Sequence, residues 1–323
     1  MSNSLLVAVD LGGTKMLATV LDESLNEVAS KKNKTPVGGD QEDVYEAIME
    51  TITDACDKAD TKPKHTAGIA IAVPGPVDVE KGIVLMTPNM ALENLPLRDR
   101  LAEELGVRVL LENDVSAGTF GEYYAGAAKG YKHVVGLFPG TGVGGGLVLD
   151  GRLYRGHRGG AGEIGHVIVQ YGGPRCGCGQ NGCLEAVASK TAIAKDLVAL
   201  ADAGGAPTVF KEAGTSIAAI KSSVIEKAID AGEQAVIEVV RRAGHFLGVG
   251  MAGFVNTFNP ELIVVGGGLV EKLGMRIYLE AAVEAMKSHA MAHLVADVEV
   301  KEAALGDDAV VLGAAALLLA EGS

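Results

Sequence analysis

The sequence is poor in cysteine and has no apolar run long enough to span a bilayer. Its first residues, Met-Ser-Asn-Ser, lead directly into a strand-like segment, without a basic and apolar cleavable region before it. We therefore expect neither membrane insertion nor secretion by that route. Only four cysteines occur in 323 residues and three of them lie together, which is typical of a reducing compartment, so we expect a cytoplasmic protein.

Basic residues are also scarce. The chain has 28 Lys and Arg against 41 Asp and Glu, which gives a net charge of −13. This balance argues against nucleic acid as a partner and favours solubility. The P-loop pattern Gly-x-x-x-x-Gly-Lys-Ser/Thr is missing as well, which excludes that class of nucleotide hydrolase.

Glycine, by contrast, is abundant: the chain has 44 glycines, about twice the usual share of roughly 7%. Many lie in two similar segments, VAVDLGGTKMLATVLD at residues 7–22 and VGLFPGTGVGGGLVLD at residues 135–150. Each segment reads as a strand, a tight Gly/Thr turn and a second strand. The repeat predicts two related lobes that face one another, although any two glycine-turn hairpins resemble each other to some extent.

Strands alternate with helices along the whole chain, which predicts an α/β protein. Helices are expected near residues 44–59, 97–105, 190–203, 215–231, 233–254 and 309–320, with buried strands at residues 67–73, 108–111 and 262–265. We expect a small lobe at residues 1–115 and a large lobe at residues 116–306. The last helix, at about 307–323, is expected to pack back on the small lobe.

The first glycine turn has the residues of a phosphate-binding loop. Glycines let backbone N–H groups approach a phosphate, and a threonine adds a hydroxyl donor. An aspartate there could hold Mg²⁺ through water, and a lysine supplies a positive charge. A plain hairpin turn uses the same residue types, so this segment alone leaves both interpretations open. The candidate residues are Asp10, Gly12, Gly13, Thr14 and Lys15.

The second turn, at residues 140–146, contains the spacing Gly-x-Gly-x-x-Gly. A dinucleotide-binding fingerprint needs a helix that begins inside the motif. Residues 147–151 read instead as a strand and a turn, so we exclude the dinucleotide interpretation. The segment remains a candidate second phosphate loop, with Gly140, Thr141 and Gly142 at its centre.

Three cysteines, Cys176, Cys178 and Cys183, fall within eight residues, and His166 lies ten positions upstream. The glycines between the cysteines let three thiolates face one point, and a Cys₃His set fills all four positions of a tetrahedral zinc ion. The sequence therefore predicts a structural zinc site. The alternatives are ordinary buried cysteines or a disulfide, although one between Cys176 and Cys178 would be strained. Cys56 lies far away and reads as a buried thiol.

Asp114 follows a predicted strand and opens a predicted helix. It could be a helix N-cap, for which aspartate is well suited, or a general base that accepts a hydroxyl proton during phosphoryl transfer. Asn113 can both donate and accept hydrogen bonds, as a sugar hydroxyl requires. Glu163 and Glu185 flank the cysteine loop and could accept from vicinal hydroxyls of a polyol, or could be solvated surface charges.

Together these segments resemble the ROK family of sugar kinases and repressors, and within it the glucokinases. The resemblance covers nearly the whole length and rests on four blocks, residues 10–15, 112–114, 139–146 and 160–185. It implies the two-lobed actin/hexokinase-type fold and ATP-dependent phosphorylation of the 6-hydroxyl of glucose, with Mg²⁺ as cofactor. Only nine residues precede Asp10, too few for the helix-turn-helix of the family's repressors. A homodimer is the default expectation.

The resemblance also implies residue roles. Asp114 is the catalytic base, and His166 both binds sugar and ligates zinc. The sugar-binding set is Asn113, Asp114, Glu163, His166 and Glu185, with Gly75 and Asn89 expected to line the sugar side. Gly266, Gly267 and Gly268 are expected to lie under the adenosine.

One departure concerns the preferred sugar. After the aspartate, family members often have a run of alanine and asparagine, whereas this chain has Val115, Ser116, Ala117 and Gly118. The alternatives are a kinase for N-acetylmannosamine or another hexose and a sugar-sensing protein without catalysis. Polyphosphate could replace ATP as the donor on the same loops.

Overall fold

The computed structural model describes residues 5–273 and 275–321. The strands are β1 (Leu6–Leu11), β2 (Lys15–Leu21), β3 (Glu27–Lys34), β4 (Ile69–Val73), β5 (Val77–Asp78), β6 (Ile83–Met86), β7 (Glu93–Leu95), β8 (Val109–Asn113), β9 (Val134–Pro139), β10 (Val143–Leu149), β11 (Arg152–Leu153), β12 (Leu262–Val265) and β13 (Glu299–Glu302).

The helices are α1 (Gln41–Lys58), α2 (Leu97–Leu105), α3 (Asp114–Ala125), α4 (Leu184–Ala188), α5 (Lys190–Asp202), α6 (Pro207–Ala213), α7 (Ser222–Asp230), α8 (Gln234–Phe258), α9 (Val270–Leu273), α10 (Glu280–His289), α11 (Ala292–Val295) and α12 (Ala309–Ala320). A π-helical segment, Met275–Leu279, precedes α10. Among the described residues, no helix combines the length and the apolar character that crossing a membrane requires.

Two five-stranded sheets form the two halves of the molecule. Their strand orders are β3-β2-β1-β4-β8 and β11-β10-β9-β12-β13. In each sheet the first three strands are antiparallel and the next two run parallel to the central strand. The order and the directions are identical, so the duplication predicted from the two hairpins is confirmed at the level of whole sheets.

The central strands are apolar and buried because helices cover both faces of each sheet. Strands β4 and β12 are fully buried. Helices α1 and α2 pack on one face of the first sheet, while α8 shares a hydrophobic cluster with β9 and β12 of the second. A smaller sheet of order β5-β6-β7 lies beside the first half. The cores therefore leave the loops at the carboxyl ends of the parallel strands free to form a site.

Helices α3 and α12 cross closely between the two sheets. A Cβ atom on Gly121 would overlap the carbonyl of Ala309, and one on Gly313 would overlap the carbonyl of Ala117. Only glycine permits this approach. Helix α12 contacts β1 and β4 of the first sheet, and α3 contacts β9 and β10 of the second. The lobe boundaries at residues 115 and 306 stay predictions, and their outer ends at residues 1–4 and 322–323 lie outside the described residues.

Most of the predicted helices and strands form within a few residues of their expected bounds, but the single helix predicted at residues 215–231 is wrong. The chain there forms a 3-10 turn, Ile217–Ala219, and then α7. The backbone of Ile220 and Lys221 is extended between them. Ile220 is buried at this break, so tertiary burial outweighs local helix propensity.

Candidate active site

Strand β8 ends at Asn113 and α3 begins at Asp114, at the carboxyl edge of the first sheet. The N-cap is Asn113, whose Oδ1 accepts the N–H of Ser116 at 3.0 Å. The alternative in which Asp114 is the cap is therefore wrong. The Asp114 carboxylate accepts from the N–H of Val115 at 2.8 Å and from Asn113 Nδ2 at 3.1 Å. Both bonds use Oδ1, which leaves Oδ2 available to a ligand.

The environment of Asp114 favours proton uptake. Burial raises the pKa of Asp114, against the effect of its hydrogen bonds, and the nearby carboxylate of Glu163 raises it further. Burial and the charge of Asp114 raise the pKa of Asp10 to about 6. Asp114 therefore lies within electrostatic reach of both Asp10 and Glu163.

The first predicted phosphate loop is a three-residue turn between β1 and β2. The N–H of Gly12 donates to the carbonyl of Lys15 at 2.9 Å, and Thr35 Oγ1 donates to the Gly12 carbonyl at 2.6 Å. Gly13 faces Asn89, since a Cβ added at Gly13 would lie 3.1 Å from that of Asn89. The structure therefore brings Asn89, predicted for the sugar side, against the first loop.

The second loop is a turn of the same length between β9 and β10. The N–H of Gly140 donates to the carbonyl of Gly142 at 2.8 Å. Glu185 Oε2 accepts from the N–H of Val143 at 3.1 Å, so this predicted sugar ligand contacts the second loop directly. Thr191 Oγ1 donates to the Thr141 carbonyl at 2.7 Å. Helices α4 and α5 thus fix the loop from behind.

Residues 266–268 pack beside the second loop. The N–H of Gly266 donates to the Leu137 carbonyl at 3.0 Å. Gly267 has a φ of +86°, and a Cβ there would lie 2.9 Å from the Pro139 carbonyl. Glycine is required at this position for both reasons. Gly268 follows with open space around it.

A cavity of about 200 Å³ lies in the cleft and includes both Asp114 and Gly267 in its lining. Several lining residues were not predicted from the sequence. Phe138 occupies the position that Asp10 holds in the first hairpin, but an apolar side chain at a strand end gave no functional signal. The other lining residues that were missed are Val115, Gly118, Glu122, Glu271, Ala303, Gly306, Ala309 and Val310.

Asn113, next to Asp114, also contacts the Pro-Gly-Pro turn at residues 74–76, which follows β4. Its Nδ2 donates to the carbonyl of Gly75 at 3.1 Å. Gly75 has a φ of +91°, and a Cβ there would lie 2.6 Å from the Met86 carbonyl. Glu163 leads into the 3-10 turn Ile164–His166. Gly75, Asn113, Asp114 and Glu163 thus form one polar group at the cleft.

The predicted zinc ligands also come together. The ligand atoms of His166, Cys176, Cys178 and Cys183 all lie within 4.8 Å of one another. Cys178 Sγ lies 3.6 Å from Cys183 Sγ, and Cys176 Sγ lies 3.6 Å from His166 Nδ1. Ligands of a tetrahedral zinc ion are separated by roughly 3.5–3.8 Å, because the metal–ligand bonds are about 2.0–2.3 Å long. All four cysteines of the chain are free thiols, and Cys56 is buried elsewhere.

The histidine connects this cluster to the polar group. Its Nδ1 faces Cys176, while its Nε2 lies 3.9 Å from Glu163 Oε2. Short β-bridges, Ile168 with Cys183 and Arg175 with Asn181, hold the ends of the cysteine loop together. The chemistry and spacing of the four donors fit one zinc ion, and its binding through Nδ1 would leave Nε2–H facing the cleft.

Two duplicated sheets, a glycine turn from each and a carboxylate-rich cleft define a two-lobed α/β fold of the actin/hexokinase type. A sequence profile of the ROK family matches residues 6–321. The chain belongs to the ROK family.

Its relatives include enzymes and regulators. The chain is 36% identical to the glucokinase of Thermotoga maritima over 97% of this chain and 96% of that protein. The crystal structure of a ROK glucokinase from Streptomyces griseus in complex with glucose and AMPPNP is similar, with a TM-score of 0.79 and 30% identity. It covers 97% of this chain and 99% of that chain. The xylose repressor of Caldicellulosiruptor bescii is 28% identical over 98% of this chain and 78% of that protein. The glucokinase relatives support a sugar kinase function.

Proposed function

We propose that the protein is an ATP-dependent glucokinase that phosphorylates the 6-hydroxyl of glucose. The observation that carries the proposal is the placement of Asp114 at the start of α3, fixed through Oδ1 by Asn113 and Val115. The similarity to glucokinases, one of them solved with glucose and AMPPNP, supports glucose as the acceptor.

In this proposal Asp114 Oδ2 accepts the proton of the 6-hydroxyl while that oxygen attacks the γ-phosphorus in line. The P–O bond to the leaving ADP breaks as the new bond forms. The raised pKa of Asp114 favours this role, because a carboxylate with a raised pKa accepts a proton more readily. Asn113 fixes the carboxylate, and Glu163, His166 and Glu185 bind the remaining hydroxyls, with Gly75 and Asn89 at the edge of the sugar site.

The donor would bind between the two glycine turns. Backbone N–H groups of residues 13–14 and 141–142 would contact the phosphates, since those of Gly12 and Gly140 already donate within their own turns. Lys15 would supply charge. Residues 266–268 would lie under the adenosine. Asp10 would hold Mg²⁺ through water, because carboxylate oxygens and waters are the ligands this ion prefers. When bound, the ion neutralises charge on the transferring phosphate.

The zinc ion would be structural, since all four positions are filled by protein side chains. It would fix the loop between Glu163 and Glu185 and orient the His166 ring through Nδ1. The His166 Nε2–H would then donate to a sugar hydroxyl.

A non-catalytic sugar sensor is the second candidate, because a xylose repressor is among the relatives. The Asp114 carboxylate, held in position by Asn113 and Val115, disfavours a non-catalytic sensor. A kinase for N-acetylmannosamine or another hexose is the alternative within the same class.

A coupled assay of ADP formation over a panel of hexoses tests the proposal. We expect the highest kcat/KM with glucose and ATP. A parallel assay should replace ATP with polyphosphate and measure glucose 6-phosphate directly. Sugar binding without turnover of any hexose would favour the sensor. We also propose that the protein is a cytoplasmic homodimer. Light scattering on the purified protein would test the dimer, because it measures whether the mass in solution is twice that of one chain.

A further inference from the structure

A buried carboxylate, that of Glu112, lies two residues before the proposed base Asp114. Glu112 is the penultimate residue of β8, and its side chain is 1% exposed. Its Oε1 accepts the N–H of Asn113 at 2.9 Å, and its Oε2 accepts from Arg155 Nε at 2.6 Å. Glu112 therefore fixes the backbone at the point where the strand becomes helix α3.

Arg155 comes from the other half of the molecule, from the segment that follows β11 of the second sheet. Its side chain is 26% exposed, and its Nη2 donates to Glu321 Oε1 at 2.7 Å, beyond the end of α12. Its own carbonyl accepts the N–H of Ala161 at 3.0 Å, two residues before Glu163. One residue thus contacts both the strand that ends immediately before the proposed base and the loop that carries Glu163.

The chemistry of the contact explains why an arginine lies there. A buried carboxylate is costly unless it is paired and hydrogen-bonded. The planar guanidinium can donate to two carboxylates at once with fixed geometry, which a lysine ammonium cannot reproduce. Loss of this partner would leave Glu112 as an uncompensated buried charge, and the Asn113 N–H would then lose its fixed acceptor.

We propose that Arg155 is a positioning residue that couples the sugar-binding loop to the catalytic base through Glu112. The inference rests on the proposed kinase function. Arg155 touches neither substrate in this account. It acts by holding Asn113, and therefore Asp114, in register with the loop that ends at Glu163.

The test compares Arg155→Gln with three other variants. Glu321→Gln removes the charge from the outer partner of the same arginine, and with it the 3.9 Å ion pair between Glu321 and Arg108, but leaves Glu112 in place. Arg100→Gln is a matched control, since Arg100 is 30% exposed and pairs with Glu42, which joins α2 to α1 and involves neither Glu112 nor the loop before Glu163. Arg155→Lys keeps the positive charge but lacks the planar guanidinium that donates to two carboxylates at once. Each kcat is divided by the folded fraction from circular dichroism.

We expect Arg155→Gln to lower kcat about 10- to 100-fold, since small displacements of reacting groups have effects of this size. The KM for ATP should change less than about twofold, because the contact lies on the sugar side. Glu321→Gln and Arg100→Gln should keep the wild-type kcat.

Arg155→Lys should give a kcat between those of wild type and Arg155→Gln, and it replaces Arg155→Gln in the test if that variant does not fold. A kcat for Arg155→Gln, or for Arg155→Lys in its place, equal to that of wild type would overturn the proposal. So would equal losses in that variant and Glu321→Gln.

Hydrogen exchange separates this inference from the proposed function. We expect Arg155→Gln to speed amide exchange in a peptide that covers residues 109–118, whereas Arg100→Gln should not. If wild type phosphorylates no hexose, the proposed function fails, yet faster exchange in this peptide still supports the link through Glu112. Unchanged exchange would contradict the link whatever the activity.

Discussion

The two glycine hairpins lie in sheets of the same strand order and have turns of the same length, but they bring different side chains to the cleft. The first carries charge on both sides of its turn, with Asp10 at the end of β1 and Lys15 at the start of β2. The second has Phe138 and Val143 at the matching positions and no charged residue from 134 to 149. The two hairpins therefore share one backbone arrangement, but only the first carries charged side chains beside its turn.

The second hairpin instead allows close packing. A Cβ on Gly144 would lie 2.7 Å from the side chain of Val115 in α3, and one on Gly145 would overlap Ile164, the residue after Glu163. The matching positions in β2 are Met16 and Leu17. Glycine in β10 thus lets α3 and the loop after Glu163 approach the same strand, which places the proposed base beside the proposed sugar ligands.

The largest effect is expected at Asp114, which lies between the hairpins and belongs to neither. Asp114→Asn should lower kcat by about 10²–10⁴, the usual range for a general base. Glucose affinity should stay nearly unchanged, because the amide keeps most of the hydrogen bonds. Steady-state kinetics and calorimetry test both statements. A variant with more than half of the wild-type kcat would show that Asp114 is not the base.

Removal of the charge that distinguishes the first hairpin should stabilise the free protein. Because the pKa of Asp10 is raised from 3.8 to about 6 in the fold, ionisation above pH 4 costs folding free energy. Asp10→Asn should therefore raise the free energy of unfolding by about 3 kcal/mol at pH 7.5 but by only about 0.5 kcal/mol at pH 4. Urea unfolding without Mg²⁺ or nucleotide measures this. A lower free energy of unfolding for Asp10→Asn than for wild type at pH 7.5 would contradict the raised pKa of Asp10.

Zinc should matter only to the second half, which holds all four candidate ligands. We expect one zinc ion per chain by metal analysis. Chelation should lower the Tm and raise the KM for glucose by about 10- to 100-fold, while the KM for ATP stays similar. An active enzyme without zinc would disprove the structural site.

A pair of alanine substitutions tests the packing role of the second hairpin. Gly145→Ala should destabilise the protein by about 1–3 kcal/mol, because its Cβ would overlap Ile164 and lie 2.8 Å from the Gly136 carbonyl. Gly140→Ala, with open space around it, should change stability by less than about 0.5 kcal/mol. Denaturant unfolding of both variants decides whether the strand or the turn requires glycine. Equal free energies of unfolding for the two variants would show that β10 needs glycine no more than the turn does.

Local patterns predicted the parts of the site that are close in sequence. The hairpins, the cysteine cluster and the segment from Asn113 to Asp114 could be recognised because each depends on neighbours along the chain. Arg155 and its contact with Glu112 could not, since they are 43 residues apart and nothing in a glycine-rich loop marks one arginine. The cavity lining was missed for the same reason, because Phe138 and Val310 meet only in the folded chain.

We propose that the two halves, each with its own hairpin, converge on one pair of substrates. Glucose that contacts Asn113 and Asp114 from one side and Glu163, His166 and Glu185 from the other gains contacts only when the cleft closes. Small-angle scattering with and without glucose measures this directly. We predict a smaller radius of gyration with glucose. An unchanged radius of gyration, with glucose shown by calorimetry to be bound, would contradict closure of the two halves around the sugar.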